Sequence, residues 1–173
     1  PAMVTVTIDT APVTVRDIVG TRTGQVDTHS ASMTISTGGG TIYVRNDRGD
    51  EISLEFPPLS IIGSELVTLT TLAEPPENPI AENIFSGVTI EPEGLLLNEA
   101  AILRVTFAEP PADLDHATLF QVVMPDFALP VGEHVYSFNS IEGEIYHFST
   151  YAAGIATLAE VSAQIDKARI YGR

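Results

Sequence analysis

Cysteine is absent from the 173 residues. That excludes disulfides, thiolate catalysis, iron–sulfur clusters and zinc sites built on cysteine. A chain of this size does not need disulfides to fold, so their absence does not fix the compartment. Tryptophan is also absent, and lysine occurs once, at Lys167. Only 8 basic residues stand against 23 acidic ones, a formal charge of −15. A nucleic-acid binder needs a basic footprint to offset phosphate repulsion, so nucleic-acid partners are excluded. Docking on an anionic membrane surface is disfavoured for the same reason. No apolar run approaches the ~20 residues of a membrane-spanning helix, so direct membrane insertion is not expected. No secretory leader is visible either: Pro1-Ala2-Met3 passes directly into strand-like sequence. The reading is a mature chain or a piece of something longer, and a missing leader says nothing against export.

What is present suits a β protein. Hydrophobic residues make up 44% of the chain, enough to build a core and to exclude global disorder. The length favours one domain. Thr, Ser, Val, Ile and Gly are frequent, the composition of strands and turns. Val4, Val6 and Ile8 alternate with threonines, and Val13 and Val15 continue after Pro12. Met33 and Ile35 resume the alternation, which Gly38-Gly39-Gly40 ends. Ile42 and Val44, the turn Asn46-Asp47-Arg48-Gly49-Asp50, and then Ile52, Leu54 and Phe56 read as a hairpin. Pro57-Pro58 stops it, since neither residue can donate a ladder hydrogen bond. Further alternation surrounds Val67 and Leu69, Val88 and Ile90, and Leu103, Val105 and Phe107. Residues 116–124 are apolar on both faces, the pattern of a central strand. Residues 135–139 and 144–150 flank Ile141-Glu142-Gly143, which reads as the last hairpin turn. Ile155, Leu158, Val161, Ser162, Ile165 and Arg169 then change to helical spacing, predicting a helix over residues 154–170.

The expected fold is therefore all-β: an antiparallel β-sandwich of about 9–11 short strands with a C-terminal α-helix. No βαβ alternation appears, which excludes a doubly wound nucleotide-binding fold. Residues 1–33 read as extra N-terminal strands or the end of a preceding domain, residues 34–151 as the sandwich, and residues 152–173 as a helix that can serve as a linker.

Three segments carry a family resemblance. Gly39-Gly40-Thr41-Ile42 is followed by Ile52-Ser53-Leu54-Glu55-Phe56-Pro57-Pro58-Leu59. Val88-Thr89-Ile90-Glu91-Pro92-Glu93-Gly94-Leu95-Leu96-Leu97 precedes Ala101-Ile102-Leu103-Arg104-Val105. His147-Phe148-Ser149-Thr150-Tyr151 comes last. In this order, over about residues 34–151, they resemble the ZU-5 domain of ankyrins, netrin receptors, death-domain adaptors and many bacterial surface proteins. That pattern has a Gly-Gly opening, an Ile-Pro-Pro-Gly-Ala-Leu turn, a Leu-x-Pro-x-Gly-Leu turn and a His-Phe-Ser. The chain departs from it where Leu59 follows Pro58 directly, without Gly-Ala.

The resemblance implies a β-sandwich and singles out His147, Phe148 and Ser149, because some family members cleave themselves between the Phe and the Ser. On a strand, residues i and i+2 share a face, so His147 is expected beside Ser149 as general base for its hydroxyl. That hydroxyl would attack the Phe148 carbonyl, and water would hydrolyse the resulting ester. The structural alternative is a plain strand with Phe148 in the core.

Other chemistry is sparse. Asp47, Asp50 and Glu51 share one turn and are calcium candidates by ligand type, but Arg45 and Arg48 are interleaved and no EF-hand spacing is present. Glu109, Asp113 and Asp115 form a second acidic loop. His29, His116, His134 and His147 lack zinc-ligand spacing. There is no Gly-x-Ser-x-Gly elbow, and Gly38-Gly39-Gly40 lacks the Lys-Ser/Thr of a phosphate loop. No cofactor is expected. The leading expectation is a non-enzymatic structural or protein-interaction module of a larger exported bacterial protein, extracellular, on the cell surface or periplasmic. Its partners would be another protein or neighbouring domains of the same chain. The alternatives are an autoproteolytic domain, and a carbohydrate-binding sandwich using Tyr43, Tyr136 or Tyr151.

Overall fold

The computed structural model describes residues 28–73, 81–124, 127–156, 161–162 and 165. It is all-β. Strands β1 (Ser30–Ser36), β2 (Gly40–Arg45), β3 (Glu51–Phe56), β4 (Ser64–Thr71), β5 (Ala81–Glu91) and β6 (Leu96–Thr106) come first. A short 3₁₀ turn (Leu114–His116) leads to β7 (Ala117–Met124), β8 (Phe127–Pro130), β9 (His134–Ser137), β10 (Ser140–His147) and β11 (Thr150–Ala156). They form two antiparallel sheets, one ordered β1-β4-β5-β11-β7-β8 and the other β2-β3-β6-β10-β9. Among the described residues no helix is long and apolar enough to cross a membrane.

The alternation seen in the sequence becomes the shared core. Ile35, Val67, Leu69, Val88 and Ile90 from the first sheet meet Ile42, Val44, Ile52, Leu54, Leu103, Val105 and Ile141 from the second in one buried cluster. The result is a sandwich-like pair of layers, in which strands such as β3 and β4 alternate buried and more exposed residues. The expected central strand is β7, which lies between β11 and β8 and buries the adjacent Leu119 and Phe120. The hairpin across Asn46–Asp50 joins β2 to β3, with Asn46 Oδ1 accepting from the Arg48 and Asp50 amides at 3.0 and 2.9 Å.

Gly39 shows why glycine closes the first turn. Its φ is +78°, and a Cβ there would stand 2.2 Å from the Phe56 carbonyl oxygen. Two strand ends approach so closely that only a residue without a side chain fits.

The structure corrects two boundaries. The last hairpin turns at Phe138-Asn139, joining Ser137 to Ser140, whereas Ile141-Glu142-Gly143 lies inside β10. The expected helix does not begin at Gly154, because Gly154, Ile155 and Ala156 are paired to β7 or β5 as the end of β11. Ladder hydrogen bonds to two flanking strands outweigh the helical spacing at that end. Beyond it only Val161, Ser162 and Ile165 are described, so the C-terminal helix as a whole is not supported. Strand β1 crosses the boundary placed between residues 33 and 34, while the strand patterns of residues 4–15 lie outside the described residues.

Candidate functional site

The chain passes from one sheet to the other at Phe148-Ser149, between the last residue of β10 and the first of β11. This crossing draws the three segments of the resemblance together. The Phe148 N–H donates to Leu95 O at 2.9 Å, and Gly94 N–H donates to Phe148 O at 2.9 Å. The Phe148 ring is fully buried and meets the Phe56 ring edge-on, with centroids 5.9 Å apart. Ser149 O accepts from Ile90 N–H at 3.0 Å, and His147 O accepts from the Tyr151 hydroxyl at 2.8 Å. Burial pushes the Tyr151 hydroxyl well above its usual range, so it stays a proton donor.

The tripeptide is not one strand, so the same-face rule of a strand does not apply to it. His147 ends β10, whereas Ser149 lies in the link and is buried. Its Oγ accepts from Gln121 Nε2 of β7 at 3.1 Å. The His147 ring faces the Tyr151 ring instead, centroids 6.2 Å apart. Among the described residues no hydrogen bond joins His147 to Ser149, so no base is seated on the hydroxyl. One element of the chemistry is present: the Gly94 N–H already points at the carbonyl on which an oxyanion would develop.

Beside the crossing lies an open cleft of about 430 Å³. Gln121, Val131, Glu133 and Tyr151 line it together with Glu144, Tyr146 and His147 of β10. Its origin is a mismatch in strand length. Strand β9 pairs with β10 only over residues 140–143, while β6 pairs with β10 through His147. On the β9 side, residues 144–147 therefore have no strand neighbour among the described residues. Glu144 and Tyr146 are exposed, with the Tyr146 hydroxyl donating to Glu144 Oε2 at 2.9 Å, a bond that raises the tyrosine's pKa.

Two side chains of β9 close the neighbouring part of β7. His134 and Tyr136, on the same face of β9, reach over the N-terminal part of β7, where β8 no longer pairs. Leu119 N–H donates to His134 Nε2 at 3.1 Å, Tyr136 Oη–H donates to Ala117 O at 2.9 Å, and Leu119 O accepts from Val131 N–H at 2.9 Å. Side chains thus substitute for a missing strand. Burial lowers the His134 pKa against the opposing pull of its Leu119 backbone bond; Nε2 also lies 3.2 Å from Leu119 O, and it accepts the Leu119 N–H in the neutral tautomer that carries its proton on Nδ1.

A second feature stands at the Pro57-Pro58 turn. Ser60 N–H donates to Pro57 O at 3.2 Å, and Leu59 holds φ +70°. Leu59 therefore occupies the position that a type II turn reserves for glycine or asparagine. This is also where the resembled pattern has its glycine. Thr37 O accepts from Leu59 N–H at 2.8 Å, and Asn98 Nδ2 donates to Leu59 O at 3.2 Å, so both ends of the strained residue are tied down.

The remaining candidates separate. Asp47 pairs with the His29 ring at 2.6 Å, Glu51 with Arg45 at 2.9 Å, and buried Asp50 accepts from Asn46 Nδ2 and the Ala108 amide at 3.0 and 3.1 Å. Each carboxylate is committed to a different protein group, and among the described residues no set of three or more possible ligands converges on a metal position. In the second acidic loop, Asp113 O accepts from His116 N–H at 2.9 Å. Tyr43 on β2 and Tyr136 on β9 stand at opposite edges of one sheet, and Tyr151 is 2% exposed, so the three do not form one platform.

The sequence reading missed Gln121, Glu133, Glu144 and Tyr146, and weighed His134 only as a zinc ligand. Alternation in β10 was the only available signal for Glu144 and Tyr146; the others depend on where β8 and β9 stop. No family model matches this chain, and no curated protein matches it.

Proposed function

We propose that this domain is a non-enzymatic, ZU-5-like protein-interaction module, of the exported bacterial kind that its acidic, lysine-poor and cysteine-free composition suggests. It engages a partner's extended segment at the open edge of β10. The observation that carries this reading is the stretch Glu144–His147 bordering the cleft, which on the β9 side has no strand neighbour among the described residues. Exposed strand edges offer a row of backbone donors and acceptors, and a peptide adding as a further strand gains affinity from them while the adjoining pocket selects side chains. Support for the family assignment comes from the meeting of its three segments at Phe148 and from the glycine-like conformation of Leu59.

The test is a titration of the isotope-labelled protein with a short peptide of alternating valine and threonine, followed by amide NMR. Shifts and slowed hydrogen exchange confined to residues 129–133 and 144–151 are expected. Changes elsewhere only, or none at millimolar peptide, would overturn the reading.

The Gly94 N–H on the Phe148 carbonyl favours a second reading, self-cleavage between Phe148 and Ser149. An intact-mass spectrum of the denatured protein separates the two. A single full-length species fits the interaction module; two fragments that disappear in Ser149→Ala fit self-processing.

A further inference from the structure

We infer that the segment captured at the β10 edge is basic: an extended stretch of a partner protein that places a lysine or arginine side chain in the cleft. This inference rests on the interaction reading above and names the chemistry of its partner.

The first argument is charge. Glu133 and Glu144 line the cleft, and both are exposed. The three described arginines are engaged elsewhere: Arg45 with Glu51, Arg104 with Glu142, and Arg48 with Phe85 O. Neither cleft glutamate forms an ion pair among the described residues. The whole chain carries a formal charge of −15, which repels acidic segments and draws basic ones toward any site on it. A ligand cation therefore supplies what the cleft lacks.

The second argument is the lining. The cleft surface combines carboxylates with the rings of Tyr146, Tyr151 and His147. Aromatic faces attract ammonium and guanidinium groups through the ring quadrupole, while carboxylates accept their hydrogen bonds. A long cationic side chain also lays its aliphatic stem along apolar surface, here Ile145, Val131 and Leu129.

The third argument is geometry. A strand added beside residues 144–147 would carry side chains alternately toward the sandwich and toward solvent. On the outer face those side chains would run beside the exposed Glu144 and Tyr146 of β10, and on the inner face they would meet the buried Ile145. A free amine or guanidine lacks that backbone register, so the inference commits to a peptide.

The test uses the full chain and three short peptides of one Val/Thr alternation, whose intervening positions carry lysine, glutamine or glutamate. Binding is read by fluorescence anisotropy at about 0.02 M and about 0.5 M salt, with amide exchange at residues 144–147 as the second readout. The expected result is that the lysine peptide binds about tenfold tighter than the glutamine peptide at low salt, as for two partly exposed ion pairs. High salt and the double substitution E133Q/E144Q should each remove that advantage while exchange at residues 144–147 remains slowed. If the lysine and glutamine peptides bind alike and both slow exchange, strand addition stands and the basic partner is overturned. If no peptide binds, or binding leaves residues 144–147 unprotected, both readings fall.

Discussion

Replacing Phe148 by alanine tests the centre of the fold and of the candidate site together. The ring is fully buried, meets Phe56 edge-on at 5.9 Å, and sits on a backbone held at N–H and C=O by the Pro92-Glu93-Gly94-Leu95 turn. Truncation removes the transfer energy of a buried phenyl group and leaves a cavity, since the two sheets cannot close over it independently. For buried Phe→Ala changes this comes to about 3–5 kcal/mol. Of that, the edge-on contact contributes about 0.5–1.5 kcal/mol beyond area burial. A double-mutant cycle with Phe56→Ala isolates this share, because the two rings touch and their losses should not add. Urea melts followed by far-UV circular dichroism supply the free energies. The midpoint should fall while the slope stays constant, as for a lost core contact in an otherwise unchanged native state. A loss below about 1 kcal/mol would refute the placement of Phe148 in the shared core. A coupling energy near zero would refute the ring contact.

Other substitutions probe separate links. Gly39→Ala should cost about 2–4 kcal/mol, combining left-handed strain with a Cβ placed 2.2 Å from Phe56 O; Gly63→Ala, at φ +98° with open space around it, should cost only about 1–2 kcal/mol, and equal losses in denaturant melts would contradict the clash. Leu59→Gly should leave stability within about 1 kcal/mol, because relief of left-handed strain is offset by greater unfolded-state entropy and the loss of a half-covered side chain; thermal melts with a larger loss would place that side chain in a tighter site. His134 has a lowered folded-state pKa, so the unfolded chain takes up its proton first as pH falls. Its contribution is full above the ordinary value near 6.5, declines as pH drops through that value toward the folded one, and is flat below; His134→Gln should remove this part of the slope in pH-dependent urea melts, and an unchanged slope would contradict the neutral acceptor role.

Much of the scaffold was readable because burial in a two-layer sheet protein imposes a period of two. Ile52, Leu54 and Phe56 alternate in the sequence and all three are buried in the shared core. Pro57-Pro58 and Gly38-Gly39-Gly40 mark breaks that the backbone obeys. The errors fall where local pattern competes with pairing. Ile155 and Val161 share a helical period, yet Ile155 lies opposite Ala117 of β7, and pairing on both sides decides its state. Gly143 looks like a turn residue, but it lies buried inside β10, opposite Leu103 and His134. The tripeptide at 147–149 departs from the strand pattern for a related reason. The same-face rule holds within a strand, and the sheet-to-sheet crossing falls between His147 and Thr150.

The cleft lay beyond sequence reasoning because it is produced by an ending rather than by a motif. Strand β9 begins at His134, opposite Gly143, and four further residues of β10 continue past it. Nothing in the residues of β10 records where its neighbour starts. Once that start is set, the consequences are physical. On the β9 side, residues 144–147 have no strand neighbour among the described residues, and Glu133, just before β9, lines the cleft beside them. Meanwhile His134 and Tyr136 turn away to close the N-terminal part of β7. Two gaps thus arise, beside β7 and beside β10: side chains of β9 fill the first, while at the second the described side-chain bond to the β10 backbone is that of the Tyr151 hydroxyl to His147 O. In a chain so acidic, a basic strand fits the second gap in both hydrogen bonding and charge.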